Sequence, residues 1–203
     1  MKYCPTTTSS MPAIAALALL VWNGSTILWL PGIASVAAII IIHTLVNRFC
    51  IRKCESAGNM PFIVKALISW AVFILLPTAA VSYAAIGAVQ WTTLLATVPA
   101  GVLSDCVIHS NAQLKSKWQT YFFNVEMLLP YVWISILSMA GLLPVTTIII
   151  FLSIPMAIGY GKRPLEAWNG DSIILKDLYK KTGDFQITFT ILFVLSLIID
   201  KFI

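Results

Sequence analysis

Few side chains in this sequence can do chemistry, and two of them stand where they are costly. Asp105 and Glu126 lie inside apolar stretches. An ionisable group in such a run is expensive to keep and marks a proton, ion or substrate site by default. They are the candidate catalytic residues. Asp105 and His109 are four apart and share a helix face with Gly101. His43 and Asn47 repeat that spacing, and Arg48, Arg52 and Lys53 follow directly. Guanidinium groups pair well with phosphate, so this basic stretch suits an anionic ligand. The expectation is a polar cluster at one mouth of a helical bundle. The competing expectation is structural: Asp105 pairs with His109, Glu126 reaches the interface two turns away, and His43 bonds a neighbouring helix.

Other chemistries find little support. Cys4, Cys50, Cys54 and Cys106 show no disulfide-framework spacing. Cys50 and Cys54 are four apart among Arg48, Arg52 and Lys53, but a zinc site wants four ligands. Two histidines exclude a multi-histidine metal centre. There is no Gly-rich phosphate loop, His-Glu-x-x-His or Gly-x-Ser-x-Gly motif, and no fixed-period repeat.

The elements that must position these groups follow from composition. Of 203 residues, 59% are hydrophobic and 10% charged, with a mean hydropathy of +0.91. A soluble domain carries roughly 25% charge, so a soluble enzyme and a disordered chain are both excluded. The expected class is an all-α integral membrane protein, a single domain spanning 1–203. Apolar runs place about seven spans near 11–29, 32–49, 62–84, 88–110, 119–140, 143–160 and 185–202. The first is interrupted at Trp22-Asn23-Gly24-Ser25, so it is either one irregular span or a span plus a turn. Lys2 and the apolar run 11–21 imitate a signal peptide, but no small-x-small cleavage site follows. Asn23-Gly24-Ser25 matches a glycosylation sequon.

Charge sets the expected orientation. Eleven of the thirteen Lys and Arg residues fall between spans two and three, four and five, or six and seven. The formal net charge of +5 therefore reads as a topology signal, not as a nucleic-acid surface. One orientation puts all three basic loops in the cytoplasm, with the N-terminus inside a cell membrane and the C-terminus outside. Trp29, Trp91 and Trp118 fall at predicted interfaces. Pro77, Pro99, Pro130 and Pro155 fall in the spans, a pattern of kinked bundles that enclose a cavity.

Three stretches resemble the UbiA superfamily of membrane prenyltransferases, nearest to the menaquinone-pathway branch that prenylates 1,4-dihydroxy-2-naphthoate. Trp22-Asn23-Gly24, then His43-Thr-Leu-Val-Asn47 and Gly58, looks like the family's second helix and first Asp-rich motif. The stretch from Gly87 to Asn111, with Pro99-Ala-Gly101-Val-Leu103, is similar to the helix before the second motif. The region from Leu143, with its polar loop and last apolar helix 188–199, resembles the family's C-terminus. The likeness covers most of the chain but lacks two helices between Gly58 and Phe62.

The resemblance implies a shortened UbiA-like fold and a function as a prenyltransferase-like membrane protein of menaquinone biosynthesis. Its substrates would be a polyprenyl diphosphate and an aromatic or quinone precursor, bound by His43, Asn47, Asn111, Arg48, Arg52 and Lys53. Magnesium is the family's cofactor. Here, however, Cys50 stands where the motif has Asn, and Ile51 and Cys54 stand where the metal-binding Asp residues belong. Ala112-Gln113-Leu114-Lys115 replaces most of the second motif. Hard magnesium wants oxygen ligands, which Ile51 and Cys54 do not supply. Whether the chain is an enzyme is thus left open. The alternatives are a non-catalytic relative that binds prenyl lipid or quinone or pairs with a full-length prenyltransferase, and a small unrelated transporter that uses Asp105 and Glu126.

Overall fold

The computed structural model describes residues 7–54, 71, 75–111, 117–168 and 178–203. Within these, only the backbone is described at 7–9, 43–54, 108–111, 165, 167–168 and 179. The described chain is helical and contains no strand. The elements are α1 (Thr7–Trp22), α2 (Trp29–Cys54), α3 (Leu76–Ile86), α4 (Trp91–Asn111) and α5 (Lys117–Met139), then a 3-10 segment (Val145–Ser153), α6 (Ile154–Trp168) and α7 (Leu178–Phe202). The 3-10 segment runs straight into α6, so the described chain forms seven rods. Stretches Lys117–Met139, Val145–Pro164 and Lys180–Phe202 are long and apolar enough to cross a membrane. The protein is therefore membrane-associated, as its composition predicts.

Local sequence sets the helix ends. The irregular first segment resolves into two helices, because α1 stops at Trp22 and α2 starts at Trp29. Gly24 sits at φ +71° and Gly141 at φ +71°, a conformation that costs glycine nothing. After α1, Gly24 N donates to Val21 O (3.2 Å) and Ser25 N to Leu20 O (3.2 Å). After α5, Gly141 N donates to Ser138 O (3.0 Å) and Leu142 N to Leu137 O (2.9 Å). Both are Schellman closures, which satisfy carbonyls that a helix end would leave bare.

Helix α4 packs against α1, α5 and α7, while α1 also contacts α2, α3 and α7. The main core fills with Leu19 of α1, Leu103 and Cys106 of α4, Phe123 and Met127 of α5, and Phe185 and Phe189 of α7. Tyr131 stands edge-on to Phe189 at 5.7 Å and 79°. Between α5 and α7 the core is thus filled by aromatic packing. A second cluster joins α1, α2 and α3 through Ala13, Ala16, Ile39 and Val81. There Gly32 lies so close to Ala85 and Leu17 that a Cβ would reach each at 3.4 Å. Tyr121, Val125, Leu128, Val132 and Ile136 form an outward stripe on α5, each 46–60% exposed. An apolar stripe on the bundle's outside is what lipid contact requires.

The prolines differ in effect. Pro99 lies inside α4. It has no N–H, so the carbonyl of Leu95 loses its usual donor four residues on. Trp133 of α5 fills the gap, its Nε1 donating to Leu95 O at 2.8 Å. Pro77 instead falls in the first turn of α3, and Pro155 in the first turn of α6, where 3-10 geometry gives way to α. Before Pro155 the chain is 3-10, so no established α-helical ladder is interrupted there.

Candidate functional site

The C-terminal half of α4, the N-terminal half of α5 and the N-terminal half of α7 meet around a set of polar side chains. Ser104 and Asp105 come from α4, Glu126 from α5 and Gln186 from α7. Ser104, Asp105 and Gln186 are fully buried, and Glu126 is 1% exposed. The sequence suggested that Glu126 could reach the interface. It does not, because its position on α5 faces inward, in line with Phe123, Met127 and Pro130.

Contacts within the set are specific. Gln186 Nε2 donates to Ser104 Oγ at 2.7 Å and more loosely to Ala100 O at 3.5 Å. Ser104 Oγ donates in turn to Ala100 O at 3.0 Å. Cys106, fully buried and not in a disulfide, donates its thiol to Glu126 Oε2 at 3.7 Å. Gln186 Oε1 is buried with no hydrogen-bond partner. Beside the set, Asn124 Nδ2 donates to Thr120 O at 3.0 Å. The amide oxygen of Asn124 occupies the space a Cβ at Gly161 would need, so α5 and α6 approach closely there. Groups this deep in an apolar bundle need such partners, since an unmet polar group costs several kcal/mol in order of magnitude.

The bundle thus sets Glu126 against Cys106, the residue that follows Asp105 on α4. It does not test the other predicted site residues. His43, Asn47, Arg48, Arg52 and Lys53 fall on the C-terminal half of α2, and Asn111 ends α4, but their side chains lie outside the described residues, as does that of His109. Asp105 with His109 therefore has no description as a pair.

Ser104 and Gln186 are the members that the sequence reading passed over. A search for charges in apolar runs skips an uncharged amide. The available signal was Gln186 itself, a long polar side chain at the start of the last apolar span.

Chemically, this set can hold a proton. Among the described residues no three His, Cys, Asp or Glu side chains are grouped to hold a metal ion. The positions that the UbiA resemblance assigns to metal ligands are Ile51 and Cys54, which carry no oxygen.

At the opposite end, the turns after α1 and α3 are tied together. Asn23 Nδ2 donates to Gln90 Oε1 (3.4 Å), and Gln90 Nε2 to Ser25 Oγ (3.2 Å). Leu28 N donates to Ala85 O at 2.8 Å. The same end carries the last turn of α7, where Trp22 Nε1 donates to Asp200 Oδ2 at 2.9 Å.

Compared with known protein families, with curated proteins and with solved structures, the chain finds no match.

Proposed function

We propose that this chain is a membrane-embedded relative of the UbiA prenyltransferases that binds an isoprenoid chain or a quinone ring without transferring a prenyl group. The observation that carries the reading is the enclosure of Asp105 and Glu126. They are carboxylates within apolar helices, and they sit in the packed core, 0% and 1% exposed. Prenyl transfer from a diphosphate requires several negative charges to be neutralised at an accessible mouth. Acids committed to interior contacts do not do that. The substituted motif at Ile51 and Cys54 supports the same reading. The basic stretch Arg48, Arg52, Lys53 still suits an anionic head, so binding outlives turnover.

We also propose the orientation that the charges suggest, with the turns holding Asn23 and Gln90 outside and the N-terminus in the cytoplasm. Eleven of thirteen basic residues fall, along the sequence, between spans two and three, four and five, or six and seven. A membrane-impermeant maleimide should label a single cysteine at Val89 in intact cells and not one at Glu166.

The functional test is prenyl transfer by membranes holding this chain alone, given 1,4-dihydroxy-2-naphthoate, a polyprenyl diphosphate and magnesium, beside an active family enzyme. The expected result is no product, together with saturable crosslinking by a photoreactive isoprenoid. Product that a chelator abolishes would overturn the non-catalytic reading. Absence of crosslinking would overturn the binding reading. Co-purification with an active prenyltransferase would identify the chain as a partner subunit.

A further inference from the structure

An apolar groove of about 290 Å³ runs along the flank of the bundle, at the end opposite the buried carboxylates. Its walls are Ala18 and Val21 of α1, Trp29 of α2, and Leu197 and Ile198 of α7, with Trp22 at its head. It opens sideways onto the apolar exterior, since Ile14, Trp29 and Ile198 on its rim are 39%, 56% and 46% exposed. Its size lies just under the roughly 300–1,000 Å³ found for ligand pockets, enough for an acyl chain but not for a large ligand.

Two charges stand at the mouth. Lys201 lines the groove and is exposed. It spends one donor on the carbonyl of Val21 (2.5 Å), in the last turn of α1. An ammonium has three donors, so two remain. The other charge is Asp200, held by Trp22 Nε1 through Oδ2 at 2.9 Å. Among the described residues at this end of the bundle, Asp200 and Lys201 are the only charged side chains. The turns 23–28, 87–90 and 140–144 carry none. An apolar channel that ends in one cation beside one anion, flanked by two tryptophans, complements a zwitterionic lipid. A purely anionic head would meet Asp200 as well as Lys201.

We propose that this groove binds one zwitterionic phospholipid, a phosphoethanolamine lipid, with an acyl chain along Ala18 and Leu197, its phosphate on Lys201 and its ammonium on Asp200. The bound lipid would bridge α1, α2 and α7, the three helices whose ends converge there. The site is independent of the isoprenoid reading, because it lies at the other end of the bundle and uses none of the same residues.

The test is native mass spectrometry of the purified full chain, delipidated and then incubated in turn with phosphatidylethanolamine, phosphatidylcholine and phosphatidylglycerol of matched acyl chains. The expected result is one retained lipid per chain, with phosphatidylethanolamine preferred. Lys201→Gln removes a charge-assisted bond and should weaken retention about tenfold. Asp200→Asn still accepts from Trp22 and should erase the preference over phosphatidylglycerol. Ala18→Phe fills the channel and should abolish retention. Ile198→Trp, at the exposed rim, does the same without burdening the core. Equal or greater retention of phosphatidylglycerol by the unaltered chain would overturn the zwitterionic assignment. Unchanged retention in both filling variants would overturn the site.

Discussion

The Pro99–Trp133 arrangement offers a measurable statement about how this bundle tolerates a broken helix ladder. Pro99 deprives Leu95 O of its backbone donor, and the Trp133 indole supplies one at 2.8 Å from the next helix. Trp133→Phe keeps an aromatic ring but removes the donor. Hydrogen bonds between membrane helices average about 0.6 kcal/mol and reach about 1.7. A carbonyl left with no donor lies toward the upper limit, so the expected loss is about 1–2 kcal/mol. Pro99→Ala restores an N–H at residue 99, which returns to Leu95 O. In that background Trp133→Phe should cost about 1 kcal/mol less, a coupling well outside the roughly 0.5 kcal/mol scatter of independent sites. The assay is reversible unfolding of the four proteins in mixed micelles titrated with sodium dodecyl sulfate. Additive costs across the cycle would refute the claim that the indole replaces the missing backbone donor.

Other substitutions test neighbouring parts of the argument. Gly161→Ala gains about 1 kcal/mol of helix propensity but meets the Asn124 amide, and overpacking costs about 1–3 kcal/mol. It should therefore destabilise the protein, and turn stabilising in an Asn124→Ala background, as read by the same titration. Ser104→Ala removes the main acceptor of Gln186 and should cost about 1–2 kcal/mol. Gln186→Met removes both the donor and the unpartnered Oε1, so it should cost less than Ser104→Ala. Gly141→Ala forces a side chain into the left-handed turn that closes α5 and should cost about 1 kcal/mol in unfolding measurements. Asp105→Asn with Glu126→Gln should leave isoprenoid crosslinking unchanged. It should also leave proton flux in proteoliposomes at the level of the unaltered chain, and a change in flux would revive the transporter reading.

The helical class and the membrane setting were legible because both depend on bulk composition and long apolar runs, which need no partner to be read. The turns near 85–87 and 141–142 were legible as the gaps between neighbouring apolar runs, and each holds a glycine. The break after Trp22 was readable only as two options, since a Trp-Asn-Gly-Ser stretch suits either an irregular span or a turn until the Gly24 closure is seen. The 3-10 start of the sixth rod was not legible. Thr-Thr-Ile-Ile-Ile is as good a membrane α-helix as any, and Pro155 marks the switch only in hindsight. Helix facing was the weakest point. Helices that are apolar nearly all round give no periodic signal, so nothing in the sequence said that Glu126 turns inward while Val125 and Leu128 turn outward. Asp105 and Glu126 were found because charge in an apolar run is conspicuous. Gln186 was missed because an amide is not.

The two ends of the bundle pose different problems and meet them with different chemistry. Where α4, α5 and α7 converge, polar groups are fully enclosed, and Ser104 and Gln186 are held by a short contact inside the protein. Where α1, α2 and α7 converge, the charged side chains among the described residues are one lysine and one aspartate, beside tryptophan indoles. The packing there is open enough to leave a groove. An enclosed polar cluster fixes how helices register, because a one-residue rotation would turn Ser104 away from Gln186. An open groove fixes nothing by itself and leaves apolar walls in search of apolar contact. Registry at one end ties α4 to α7, and the proposed lipid at the other would bridge α1, α2 and α7, so α7 takes part in both.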